Sequence, residues 1–416
     1  MSVTPDTAAV SQPTAAPPTR RASRLVGVDA TRGLAVLGMI AVHSLNEYDD
    51  AGEPTWMFSL AAGRAAAIFA VLAGVSIAFI SRRRRLHRGP EATGISASLA
   101  ARAVVIGLIG LSLGYTDIEF GVVILTYYAV MFLLAIPLIY LSTRTLLVST
   151  VAAGLLLPVL SQALLPHLPE FLDEQLSFGA LFSDPLGVLS TLVFTGEFPA
   201  LVWMTYVGAG LVVGRLTLTS IRVAAGLAGT GVALMLGSAV TSWALLNPFG
   251  GLEHLDATTD DDVIAELLAF GGDGTVPTTT WWWLAVDGPH TGTPLDLAAT
   301  IGSTLAVLGV ALLLGHVTRR YLALAVRVLF VPLAAVGSLS LTAYVGHIMF
   351  VNSDFDVYGP WSGYLRQVVV MIALAIVWKA TAGRGPLEGL VTAVTSRVRR
   401  RTEDWARRRS AAHRPA

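Results

Sequence analysis

About ten apolar stretches, each near the 17–25 residues that cross a bilayer, dominate this chain and leave few folds open to it. They run over residues 26–45, 58–80, 99–115, 120–141, 145–165, 198–215, 222–246, 297–317, 331–351 and 363–380. The composition agrees: 54% of the 416 residues are hydrophobic, 13% are charged, and the mean hydropathy is +0.66. A chain so built reads as an all-α, polytopic transmembrane helical bundle of about ten spans.

The connections sort by charge. Arg20, Arg21 and Arg24 precede the first stretch, and "SRRRRLHR" (Ser81 to Arg88) follows the second. Arg144 follows the fourth, Arg215 and Arg222 flank the link after the sixth, "HVTRRY" follows the eighth, and an Arg-rich segment follows the tenth. The alternate connections, "NEYDDAGEP", "YTDIEF", residues 166–197, residues 247–296 and "NSDFDVYGP", are acidic or neutral. Arginine-rich loops stay in the cytoplasm, so both termini are expected there and the two long loops outside, in a multi-pass protein of the cell membrane. Residues 1–23 are expected to be a disordered cytoplasmic tail, residues 24–385 the membrane domain, and residues 386–416 a basic cytoplasmic tail.

Composition also excludes classes. Lys+Arg and Asp+Glu balance at 28 each, so bulk charge points to no nucleic-acid partner. The absence of Cys removes disulfides, thiolate nucleophiles and Cys-ligated metals. The His are dispersed without the i, i+4 spacing of a helical ligand pair, so no metal site is expected. No Gly-rich phosphate loop and no Gly-x-Ser-x-Gly elbow occurs, and the many Gly read as close helix packing in lipid.

The informative residues are those that are costly to bury in a membrane. In "VGVDATRGLAVLGMIAVHSL", Asp29 and Arg32 are three apart and can neutralise each other. Arg32 and His43 are eleven apart, which on a helix is the same face, roughly 16 Å along the axis. Such a stripe faces a bundle interior or a wet cavity, and a hydrated tunnel is the expectation. Arg64 opens the second stretch, where it can snorkel or bind an anion. His347 lies in "SLSLTAYVGHIMF" with Tyr344 one turn earlier, and His290 lies in the turn-rich "DGPHTGTPLDL". Three His at a similar depth, with Glu47, Asp49, Asp50 and Glu197 nearby, suit proton transfer to or from an acceptor outside. In the long loop, Trp281, Trp282 and Trp283 read either as an interfacial belt or as a sugar-stacking platform, and "DDDVIAELLAF" as a short amphipathic helix.

At these residues the chain resembles a known group. "VDATRGLAVLGMIAVH" and "SLSLTAYVGHIMF" are similar to the first and late span motifs of the heparan-α-glucosaminide N-acetyltransferase-like family and its bacterial relatives. "GEFPALVWMTYVGAGLVVGRL" and "GRGPLEGLV" look like segments of a related bacterial membrane family. The Arg32…His43 spacing is also similar to a pattern on the first span of acyltransferase-3-type enzymes. The resemblance implies an acetyltransferase that takes acetyl-CoA as donor in the cytoplasm and acetylates a sugar or glycolipid of the cell envelope. It implies His43, His290 and His347 as catalytic candidates and Asp29 and Arg32 along the donor path. Arg64, Tyr344, Trp281 and Trp282 are candidates for substrate binding. The family's acetyl-accepting His precedes its second span, where this chain reads "GEPTWMFSLAAGRAA" and holds none. Either His43, His290 or His347 takes over that role, or this branch does something else. A carrier or flippase uses similar buried groups and is the alternative, although no internal repeat supports it. A non-catalytic scaffold for envelope enzymes, its Arg-rich tail on anionic lipid, is the remaining reading. On any reading membrane lipids are partners, and a homo-oligomer is left open.

Overall fold

The computed structural model describes residues 25–169, 172 and 174–412, so the expected N-terminal tail lies outside the described residues. Among those residues the chain is all-helical, with a single isolated bridge between Tyr48 and Pro54. The principal helices are α1 (Val26–Ser44), α2 (Arg64–Ile80), α3 (Pro90–Leu113), α4 (Leu125–Leu138), α5 (Thr143–Leu164) and α6 (Ala200–Arg215). They continue with α7 (Ile221–Leu246), α8 (Pro294–Leu314), α9 (Arg320–Ser338), α10 (Ser340–Val351), α11 (Pro360–Thr381) and α12 (Pro386–Ala412). Eight helical segments are long and apolar enough to cross a membrane, or nine if Pro185–Thr195 and α6 count as one span bent by 49°.

Three expected elements take another form. The stretch 331–351 is not one helix: α9 begins at Arg320 and the chain breaks at Leu339 before the short α10. Glu388 caps that break, its carboxylate accepting from Leu341 N at 2.8 Å, Thr342 N at 3.2 Å and Thr342 Oγ1 at 2.6 Å. The loop 166–197 is largely helical, ending in a π-turn at Thr191–Thr195 ahead of the bend at residues 196–199. The basic tail is the 27-residue α12, which packs along α3.

Between membrane helices there is little hydrophobic drive, so close backbone approach decides packing. Gly33 of α1 meets Gly337 of α9: a Cβ on either would collide with a backbone carbonyl of the other helix, that of Leu333 or Asp29. Gly74 of α2 and Gly210 of α6 meet in the same way, and Gly231, Gly302 and Gly309 seat α7 on α8. These crossings hold α1 in the middle, against α2, α8, α9, α10 and α11. Its polar residues therefore face protein.

Two faces follow. The basic face carries the start of α1, the arginines at 82–85 and α12. The acidic face carries the long loops. There the helices Gly251–Asp256 and Asp261–Ala269 and the 3-10 turn Trp281–Ala285 close over Trp283, which is fully buried among Leu246, Leu255, Ile264 and Val286. The short amphipathic helix is thus the lid of a small apolar core.

A Gly337→Val substitution should separate α1 from α9 and cost at least the 1–3 kcal/mol typical of overpacking. The expected outcome is a lower melting temperature and loss of monodisperse protein in detergent. Gly226→Val, whose Cβ meets nothing within 4 Å, should behave as the parent.

Candidate functional site

α1 delivers its ionisable groups to two cavities, one toward each face. Near the acidic face a cavity of about 550 Å³ is lined by His43, Asn46, Glu47, Glu197, Asp273 and His290, among others. Near the basic face a cavity of about 500 Å³ is lined by Arg32, Ser76, Arg102, Tyr128, Tyr344 and Arg384, among others. Met39 lines both, and Phe69 and Tyr344 join it around a void too small for water. The expected continuous tunnel is therefore two chambers with a side-chain partition.

His43 sits at the last turn of α1 and is bonded across the bundle. Its Nδ1 lies 3.0 Å from His347 Nε2, with the two rings parallel within 5°. His347 Nδ1 lies 2.7 Å from Gln367 Oε1, and Gln367 Nε2 donates to Ser44 Oγ at 3.1 Å. With the amide nitrogen committed to Ser44, its oxygen accepts the proton of His347 Nδ1. His347 Nε2 then accepts from His43 Nδ1, which leaves the lone pair of His43 on Nε2. That nitrogen faces Gly121, where an added Cβ would stand 2.7 Å away and where φ is +111°. The loop over the imidazole is pinned by Gln175, whose Nε2 donates to Gly121 O at 2.7 Å and whose Oε1 accepts from Val123 N at 3.0 Å.

His290 enters the same cavity from a tight turn. It adopts φ +56°, an uncommon backbone for a non-glycine residue and one that gathers at functional sites. Its carbonyl accepts from Gly274 N at 2.7 Å. Its ring lies over Trp203 (6.2 Å between centroids) and against the edge of Phe198 (5.5 Å). Glu197 Oε1, from the bend before α6, stands 3.9 Å from its Nδ1. Burial lowers the His290 pKa to about 4, against a backbone hydrogen bond with Glu197 that raises it. The ring is therefore neutral at pH 7. Burial, and then the charge of Asp273, raises the pKa of Glu47 in this cavity.

In the other chamber Arg32 holds Asp29 at 3.3 Å and donates to Ser76 Oγ at 3.1 Å. Arg102 of α3 lies with its guanidinium over Phe132, 5.7 Å from the ring centroid, and among the described residues its Nε has no hydrogen-bond partner. Arg32, Arg102 and Arg384, the last at the base of α12, line this pocket together with the carboxylate of Glu388.

The structure thus joins His43 to His347 directly and brings His43 and His290 to one cavity. It puts Arg32 in the opposite chamber. Tyr344 belongs to the partition, its hydroxyl accepting from Ile124 N at 3.3 Å, rather than to the acidic cavity. Arg64 does not line the cavity, although Gly63 and Ala65 do; it donates to the carbonyl of Ser59 in its own hairpin. Trp281 is 57% exposed, and Trp282 packs edge-on against His254 at 5.3 Å. Neither lines the acidic cavity; Trp282 also packs against the small core around Trp283. Sequence reading missed Gln367, Arg102, Asp273 and Gly121. Of these only Gln367 and Arg102, polar groups inside apolar stretches, carried a usable signal. Among the described residues no group of three or more His, Asp and Glu is arranged to hold a metal ion.

His290 ties folding to pH. Its folded pKa of about 4 lies below the ordinary 6.5, so the unfolded chain takes up a proton that the fold refuses. This contribution is complete above pH 6.5, fades as pH falls, and is lost below pH 4, amounting to about 3 kcal/mol. In detergent, His290→Asn should show a shallower loss of stability than the parent between pH 7 and pH 4. Glu47, present in both, cancels from the difference. Equal slopes would refute the assignment.

A family model for heparan-alpha-glucosaminide N-acetyltransferase, catalytic, matches residues 24–241, just over half of the chain. No curated protein matches. The matched segment holds Asp29, Arg32, His43, Arg102 and Glu197, while His290, His347 and Gln367 lie beyond it. The chain belongs to the heparan-alpha-glucosaminide N-acetyltransferase catalytic family, a family of membrane acetyltransferases.

Proposed function

We propose that this protein takes acetyl-CoA into the basic chamber and transfers the acetyl group to a sugar or glycolipid in the acidic chamber. The observation that supports this is the placing of Arg32 and His43 on one helix, in chambers that meet at Met39. The basic face is read as cytoplasmic, with both termini there, because arginine-rich loops are retained on that side of a cell membrane. The acceptor would then lie outside.

Each chamber suits its half of the reaction. Arg102, Arg32 and Arg384 would bind the donor's phosphates, which places the thioester arm toward Met39. His43 Nε2 carries the free lone pair and faces the acidic chamber. As general base it removes the proton of the acceptor hydroxyl or amine while the acceptor oxygen or nitrogen bonds the acetyl carbon. The C–S bond breaks and the CoA thiolate leaves to the basic side. As transient carrier, the same nitrogen would first take the acetyl group and release the thiolate. His347 and Gln367 act as positioning residues, holding the tautomer and supporting the charge that develops on His43. His290 and Glu197 line the acceptor's side.

Purified protein given radiolabelled acetyl-CoA and mixed envelope glycans tests the reading. His43→Ala should lower kcat by about 10²–10⁴, the usual loss for a general base. Arg102→Ala should raise KM for acetyl-CoA roughly tenfold with a smaller change in kcat. Unchanged transfer by His43→Ala removes the assignment. The closed partition at Met39 also suits a carrier, and substrate accumulating in vesicles without an acetylated product would favour that reading.

A further inference from the structure

A third cavity, of about 800 Å³, lies on the flank of the bundle between α10 and α11. Its walls are apolar, and at one end it touches His347 and Gln367, the inner members of the chain that ends on His43. The imidazole pair is therefore a thin wall: His43 faces the acidic chamber and His347 backs onto the groove. The indentation persists because Ala343 and Gly346 are small, and a Cβ on Gly346 would meet nothing within 4 Å. The opposite wall is α11, whose Val369, Val370 and Leu374 are more than half exposed. From Arg366 to Trp378, both lining residues, the groove runs roughly 18 Å along the helix, a length suited to a hydrocarbon chain.

Charge at one end says what kind of chain. Arg366 lines the groove beside Gln367, with its guanidinium stacked 4.2 Å over Tyr358. Among the described residues no carboxylate forms an ion pair with it. Trp361 stacks on Trp56 (6.2 Å) and against Tyr364 (6.1 Å) at the start of the same helix, an aromatic cluster of the kind that marks a membrane–water boundary. Arg366 thus lies about a turn and a half inside that boundary, where a cation with donors to spare favours a phosphate.

We infer that the groove binds a lipid carrying an anionic phosphate, its hydrocarbon along α11 and its phosphate on Arg366, so that the acceptor sugar is lipid-linked and enters the acidic chamber from the membrane side, around the imidazole wall. This rests on the acetyltransferase reading and narrows its acceptor. Gln367 adjoins Arg366 in the chain and bonds Ser44, the neighbour of His43, so a sugar attached to that phosphate starts at the level of the imidazoles. A freely soluble sugar needs neither the groove nor Arg366.

The test uses the full chain in lipid nanodiscs with radiolabelled acetyl-CoA and three acceptors. One sugar is supplied as a polyprenyl-phosphate conjugate, as a diacylglycerol-phosphate conjugate, and as the free sugar phosphate. Both lipid forms should outcompete the free form by at least tenfold in kcat/KM, and the better of the two identifies the source of the chain. Gly346→Phe fills the groove, and Arg366→Gln removes its charge. Each should lower the ratio of lipid-linked to free transfer at least tenfold, while Gly226→Phe, on another lipid-facing helix, leaves the ratio unchanged. Equal ratios in all proteins overturn the inference and leave the acetyltransferase reading standing. Absence of transfer to every acceptor defeats that reading, and the groove is then judged by a diazirine-bearing polyprenyl phosphate. Labelling of α11 that Gly346→Phe abolishes supports the lipid site; labelling it does not alter overturns it. A Val370→Cys variant of this cysteine-free chain that forms a disulfide dimer would show the groove covered by a second copy, and so overturn it as well.

Discussion

Ionisable groups in hydrocarbon must find partners inside the protein, and that requirement organises this fold around one helix. α1 carries Asp29, Arg32 and His43, so it cannot stand at the lipid boundary. Gly33 and Gly337 let α9 press against it, and α2, α8, α10 and α11 complete the surround. Each polar group is then met from another helix: Arg32 by Ser76, His43 by His347, and Ser44 by Gln367. Remove the close crossing and these partners separate, because none of the bonds is local to α1 except Asp29–Arg32.

The partition between the chambers gives the arrangement its chemical sense. A continuous water path would let a thioester hydrolyse and would leak ions across a membrane. Met39, Phe69 and Tyr344 close the path with two rings and a flexible thioether, and Tyr344 is fixed through Ile124 N. The unbranched Met39 side chain is the most adaptable of the three, so in the proposed reaction it is the group that would yield to a small acyl group. The amide of Gln367 decides which nitrogen of His43 keeps its lone pair, although Gln367 itself lines neither chamber.

Periodicity and charge made much of this legible. The apolar stretches mark the long helices, the Asp29–Arg32 pair follows from a three-residue spacing, and the amphipathic helix at Asp261–Ala269 follows from its pattern. The break at Leu339 is hidden, because Gly337, Ser338 and Ser340 are small enough to read as part of one helix and the cap that permits the break, Glu388, is nearly fifty residues away. Gln367 and Arg102 stand in plain view inside apolar stretches, yet local pattern does not say which helix meets them. The Trp triplet leaves an interfacial belt and a sugar-stacking platform both open, and the burial of Trp283 is set by Leu246, Leu255 and Ile264, which local pattern does not bring together. The αL backbone at His290 is a property of the folded turn and has no signature in spacing.

Glu388 has one more consequence. It belongs to α12, which walls the basic chamber, while its carboxylate holds the start of α10, the helix that carries His347. Leu387 N also donates to Thr342 Oγ1 at 3.3 Å, so the starts of α12 and α10 are tied by two neighbouring residues and neither helix can tilt without the other.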